Sequence, residues 1–215
     1  YGFNAGSQDV ASQDCTHVDG LQVWGGGLHQ KNLTIDHDIF GPMIAQGVYP
    51  GDRNNTSFDN VAITNSTFLN VLDHAIIGDS VSSDPTTPGN WTISHDTSYM
   101  TSSPDTGLSS HGKVDLSGSG HSVTSSIFVS GYFYSAGAFS SASGNVWSGG
   151  DPVLGGTNVS PGFTGPLPTT NAPSYAALYA MDLTPSCGAC SGAGSPLHTA
   201  KSVLDRIDSI DATNP

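Results

Sequence analysis

One octapeptide recurs four times in this chain without a gap, at residues 33–40, 61–68, 91–98 and 121–128. Its central aliphatic residues are Ile35, Ile63, Ile93 and Val123, spaced 28, 30 and 30 residues apart. Asn32, Asn60 and Asn90 precede the first three copies. A second register runs between them through Leu21, Val48, Ile76, Leu108 and Ala138, at intervals of 27, 28, 32 and 30. Self-similarity at such a period marks a repeat architecture, because each unit supplies the same structural element in turn. On this reading every repeat carries two short strands, separated by turns rich in Gly, Asn, Asp, Pro and Ser.

The octapeptides alternate with the two-residue period of a strand. Leu33, Ile35, Val61, Ile63, Trp91, Ile93 and Val123 point one way. Thr34, Asp36, Ala62, Thr64, Thr92, Ser94, Ser122 and Thr124 point the other. One face is an aliphatic stack and the other a hydroxyl ladder. A single repeat cannot bury its apolar face, but stacked neighbours bury one another's. A two-layer β-sandwich has no reason to return the same octapeptide at this interval. The expected fold is therefore all-β: a right-handed parallel β-helix, or solenoid, of about five coils.

These coils are expected over residues 1–147, with further coils upstream of Tyr1. Residues 148–198, rich in Gly, Pro, Ser and Thr, read as a segment capping the open end. Residues 199–215 read as a short helix or tail, with Val203, Leu204, Ile207 and Ile210 on one helical face. The fifth octapeptide position holds His37, Asn65, His95 and Ser125. Polar residues stacked at a corner bond the turn backbone and one another. A metal site from His37 and His95 is disfavoured because Asn65 falls between them.

The chain of 215 residues has 18 acidic and 5 basic side chains, a net charge of −13. Nucleic acid is excluded as a partner, since phosphate binding needs clustered Lys and Arg. An anionic glycan is not gripped by side chains alone, although calcium bridging carboxylates to it is a possible cofactor. A surface of hydroxyls and amides points to a secreted, extracellular protein. No apolar run is long enough to span a membrane. The pair Cys187 and Cys190 reads as a small disulfide staple, and Cys15 stands alone.

His17-Val18-Asp19-Gly20-Leu21-Gln22, the strand starts at Asn32 and Asn60, and the closing Asp182-Leu183-Thr184-Pro185 and Gly194-Ser195-Pro196 resemble secreted right-handed β-helix proteins of the pectate-lyase-like superfamily. The resemblance covers about residues 15 to 198. It implies the β-helix fold and, for many members, glycoside hydrolase, lyase or epimerase activity on polysaccharides. His17-Val18-Asp19-Gly20-Leu21 is similar to the first acidic motif of polygalacturonase-type glycoside hydrolases. Asp73-His74-Ala75 is loosely similar to their Gly-His-Gly motif. Where that family carries an Asp-Asp pair this chain has Ala45-Gln46. Inverting hydrolysis needs two carboxylates, so that departure weighs against it.

Lyase chemistry needs a base beside the uronate carboxyl and a cation to neutralise that carboxyl. Candidate bases are His17, His29, His74, His111 and Lys113. Candidate cation ligands are Asp19, Asp36, Asp38, Asp52, Asp73 and Asp79. The second register stacks Asp19, Gln46 and His74 in one column, beside Gln22, Trp24 and Tyr49. Asp19 and His74 are the acid/base candidates. Gln22, Trp24, Gln46 and Tyr49 are the sugar-contacting ones, since glycan sites combine flat aromatics with amides. The expected function is binding or cleaving an extracellular polysaccharide, and the rival is a structural, adhesive or glycan-binding scaffold without catalysis. Oligomeric state is not legible.

Overall fold

A computed structural model describes residues 19–23, 30–42, 46–50, 58–78, 89–101, 112–131, 139–150, 152–169 and 174–199. The first repeat contributes β1 (Asp19–Val23), β2 (Gln30–Lys31), β3 (Thr34–Asp36) and β4 (Ile39–Phe40). The second contributes β5 (Gln46–Pro50), β6 (Phe58–Asp59), β7 (Ala62–Thr64) and β8 (Thr67–Leu69). The third holds β9 (His74–Gly78), β10 (Thr92–Ser94) and β11 (Thr97–Tyr99), and the fourth β12 (Lys113–Leu116), β13 (His121–Thr124) and β14 (Ile127–Val129). Then come β15 (Phe139–Ser143), β16 (Asn145–Ser148), β17 (Gly156–Asn158) and one short helix, α1 (Tyr175–Ala180).

Every pairing between these strands is parallel and joins one repeat to the next, and a single antiparallel bridge links Asp182 to Thr199 among the described residues. The first sheet runs β1-β5-β9-β12, the second β15-β13-β10-β7-β3, and the third β17-β16-β14-β11-β8-β4, while β2 pairs with β6. The fold is all-β with parallel sheets. Ile35, Ile63, Ile93 and Val123 face one another across the second sheet, in the register the octapeptide implies. Leu21, Val48 and Ile76 do the same in the first.

Two expectations need correcting. The octapeptide is two strands rather than one, so each repeat carries at least three. His37, Asn65, His95 and Ser125 all have positive φ, near 60°, 55°, 56° and 49°. One left-handed residue breaks the strand and redirects the chain. Asn and His tolerate that conformation better than β-branched residues do. The second correction concerns the first sheet, whose fourth strand is β12, with Val114 opposite Ile76, instead of the segment around Leu108. Leu108 suited the spacing, but Lys113–Leu116 has the alternation that fills the core, with Val114 and Leu116 fully buried. Leu108 itself and Ala138 lie outside the described residues.

The core runs between the sheets. Ile63, Ile93, Val123, Val48 and Val114 are inaccessible to solvent, and Phe40 stacks on Phe68 with centroids 5.1 Å apart. The third sheet is buried on both faces at β8 and β11. Phe68 and Phe128 look into the main core. Leu69 and Tyr99 look outward, onto Met181 and Leu183, and Ile127 packs on Cys190 and Ala193. Residues 159–169 and 181–197 thus lie along the flank of the third sheet, crossing it repeat by repeat. Gly194 N–H donates to the Ser125 carbonyl, Ser195 N–H to Thr97 Oγ1, and Ser195 Oγ to the Asn65 carbonyl. This strap includes a Cys187–Cys190 disulfide. The expected terminal helix lies beyond residue 199, outside the described residues.

Candidate active site on the first sheet

Parallel register builds the column. Asp19 stands opposite Gln46, Gln46 opposite His74, and His74 opposite Lys113. The row Leu21, Val48, Ile76 and Val114 anchors these strands to the core. On the neighbouring row Gln22 stands opposite Tyr49, and Ile77 opposite Asp115. Gln22 is exposed and Tyr49 half-buried. Gln46 is buried, and its Oε1 has no hydrogen-bond partner among the described residues. Trp24, His17, His29, His111, Asp52 and Asp79 lie outside the described residues.

β5 stands between β1 and β9, so Asp19 and His74 sit two strands apart. At a strand spacing of ~4.8 Å their backbones are about 10 Å from each other. The carboxylates beside His74 are Asp73 and Asp115. His74 Nδ1 comes within 2.8 Å of Asp73 Oδ2, without the alignment of a hydrogen bond. His74 Nε2 lies 4.0 Å from Asp115 Oδ2, and Lys113 Nζ is 3.0 Å from that same oxygen. One of the chain's five basic residues is thereby fixed next to an imidazole. These side chains are mostly covered, with His74 12% and Lys113 15% exposed.

Asp115 escaped the sequence reading because the wrong segment was set in the fourth row. Its signal was the alternation Lys113-Val114-Asp115-Leu116, polar on one side and apolar on the other. Asp73 and Lys113 were each picked out singly, and only the register joins them to His74.

The other polar clusters sit at corners. Asp36 Oδ1 accepts from Thr64 Oγ1 and from Asn65 Nδ2, each at 2.8 Å, and Asp36 Oδ2 lies 2.7 Å from His37 Nδ1. Partial burial works to raise this carboxyl, but the bonds from Asn65, His37 and Thr64 hold it at about 2. Asp36 is thus occupied by the corner itself, and Asn65 separates His37 from His95. Among the described residues no three His, Cys, Asp or Glu side chains converge as a metal-ligand set.

Compared with known proteins, the chain matches no family model, no curated protein and no solved structure.

Proposed function

We propose that the chain is a stretch of right-handed parallel β-helix from a secreted protein, and that its first sheet binds and cleaves an extracellular acidic polysaccharide. The cyclic return of the chain to the same three sheets supports the solenoid. Its right hand follows from the strong preference of parallel crossovers. The observation that carries the activity is His74 flanked by Asp73, Lys113 and Asp115.

Elimination is the chemistry this group suits best. His74 takes the proton beside the uronate carboxyl as Lys113 offsets the charge that builds on it, and the glycosidic C–O bond then breaks. Asp73 stands beside the imidazole as a nearby negative charge, and the leaving oxygen collects a proton from water. Gln22 and Tyr49, on the row beside the column, serve as sugar contacts; Gln46 is buried and Trp24 lies outside the described residues. Asp19 marks the neighbouring subsite rather than the proton-transfer partner, because Gln46 stands between it and His74.

The second reading is a non-catalytic glycan-binding or adhesive scaffold. The second sheet favours it. Thr34, Thr92 and Ser141 are exposed there in a row of hydroxyls, interrupted at Ala62, that offers hydrogen bonds with no acid–base pair.

Affinity electrophoresis against uronate-rich and neutral polysaccharides, with and without EDTA, separates these readings. The proposal expects retardation by uronate polymers that Lys113→Gln abolishes. Retardation by neutral polymers alone, unaffected by Lys113→Gln, sinks it in favour of the scaffold.

A further inference from the structure

The sixth octapeptide position forms a second internal ladder. Asp38 N–H donates to Ser66 Oγ at 3.2 Å, and Ser66 N–H to Asp96 Oδ1 at 2.7 Å. Asp96 N–H donates to Ser126 Oγ at 3.2 Å, and Ser126 N–H to Asn145 Oδ1 at 3.0 Å. From Ser66 onward the column is buried.

Each rung around Asp96 also donates. Ser66 Oγ–H donates to the Thr64 carbonyl at 2.9 Å and Ser126 Oγ–H to the Thr124 carbonyl at 3.0 Å. Asn145 Nδ2 donates to the carbonyls of Val123 and Leu154. The Thr64, Ser94 and Thr124 carbonyls accept from the preceding repeat in the same manner, from His37, Asn65 and His95 N–H. At Thr64 and Thr124 the rung supplies a second proton. At Ser94 the rung is a carboxyl, and its Oδ2 is buried with no partner among the described residues. A carboxylate only accepts, whereas a carboxylic acid also donates one O–H.

We propose that Asp96 is built into the fold as the uncharged acid, its Oδ2–H donating to the Ser94 carbonyl, and that loss of this proton is a switch that loosens the stack. Burial pushes the Asp96 carboxyl well above its ordinary value; the main-chain bonds of Ser66 and Ser94 oppose this and Asp36 adds to it. The charged or titratable groups at this corner are Asp36, His37 and Asp38 two repeats away and His95 on the same repeat. Asn65, Ser66, Ser125 and Ser126 fill the adjoining repeats, and strap residues 193–197 carry no charge. The folded chain keeps a proton that the unfolded chain has already released. Its stabilising effect is therefore complete below the ordinary carboxylate value and is lost as pH rises through the folded one.

Urea unfolding of wild type, Asp96→Asn and Asp96→Ser across the acid-to-neutral range tests this, with the infrared carboxylic-acid band of the folded protein as a second readout. Asn accepts and donates as Asn145 does, and Ser as Ser66 and Ser126 do. The expected result is a wild-type midpoint that falls relative to both variants as pH rises, with Asp96→Asn the more stable at neutral pH. A carboxylic-acid band persists at neutral pH in wild type and is missing from the variants. Parallel pH profiles, no band lost on substitution, or failure of both variants to fold overturns the proposal.

Discussion

Thr67 and Leu197 are 130 residues apart in the chain, and Thr67 Oγ1 donates to the Leu197 carbonyl at 3.1 Å. This bond is one tie of a strap that seals the outer face of the third sheet. Outward positions on that sheet therefore include Leu69, Tyr99 and Ile127, where a solvent-facing sheet would carry polar residues.

Ser195 holds the strap at three points. Its N–H donates to Thr97 Oγ1 at 2.9 Å, its Oγ donates to the Asn65 carbonyl at 2.8 Å, and that Oγ accepts from Leu197 N–H at 3.0 Å. Ser195→Ala strands the last two partners in a buried place, which costs about 1–3 kcal/mol. Urea unfolding checks this, and an unchanged midpoint removes the strap from the stability account.

His95 is an exposed corner residue with φ near 56°. His95→Gly should leave stability within about 1 kcal/mol, since glycine adopts this conformation freely. His95→Val should cost about 1–2 kcal/mol or more through the left-handed backbone. Thermal unfolding of the pair reads the difference. Equal midpoints contradict a backbone role for the corner.

Gly47 packs against the main core, where an added Cβ meets the Ala75 carbonyl oxygen at 2.4 Å and the Phe68 ring at 2.7 Å. Gly47→Ala should destabilise by about 1–3 kcal/mol, the usual cost of overpacking. A variant as stable as wild type shows that the first and third sheets are less tightly joined than this.

His121 is fully buried. Its Nδ1 accepts from Trp91 N–H at 3.1 Å, which leaves Nε2 to donate to the Ser117 carbonyl at 2.9 Å. Burial lowers its pKa, against the opposing bond to Ser117. The unfolded chain takes up this proton first, near the ordinary value of about 6.5. The stability from neutral His121 is thus present above that pH and declines as pH falls toward the folded value. NMR titration of the imidazole should show it neutral at a pH where exposed histidines are charged. Titration at or above the ordinary value contradicts the assignment.

The second sheet was legible through Val123, because Ile35, Ile63, Ile93 and Val123 keep nearly constant spacing and strict alternation, but its last strand β15, with Ala142 opposite Val123, was not. The first sheet was legible through Ile76. Beyond it the connecting segments lengthen, and period alone favoured Leu108 over Val114. The strap was legible only as composition. Its contacts join residues such as Ser195 and Asn65, 130 positions apart, through single bonds that leave no period. At the candidate site the column of Asp19, Gln46 and His74 was visible, while Asp115 depended on a strand that periodicity misplaced.

The most direct measurement of the central claim is release of unsaturated uronate from acidic polysaccharides by the purified chain, compared with His74→Gln. The account predicts product from wild type and a loss of roughly a hundredfold or more in the variant, the scale of one positioned proton-transfer group. Undiminished release by His74→Gln, or no release by a wild type that still binds the polymer, contradicts it.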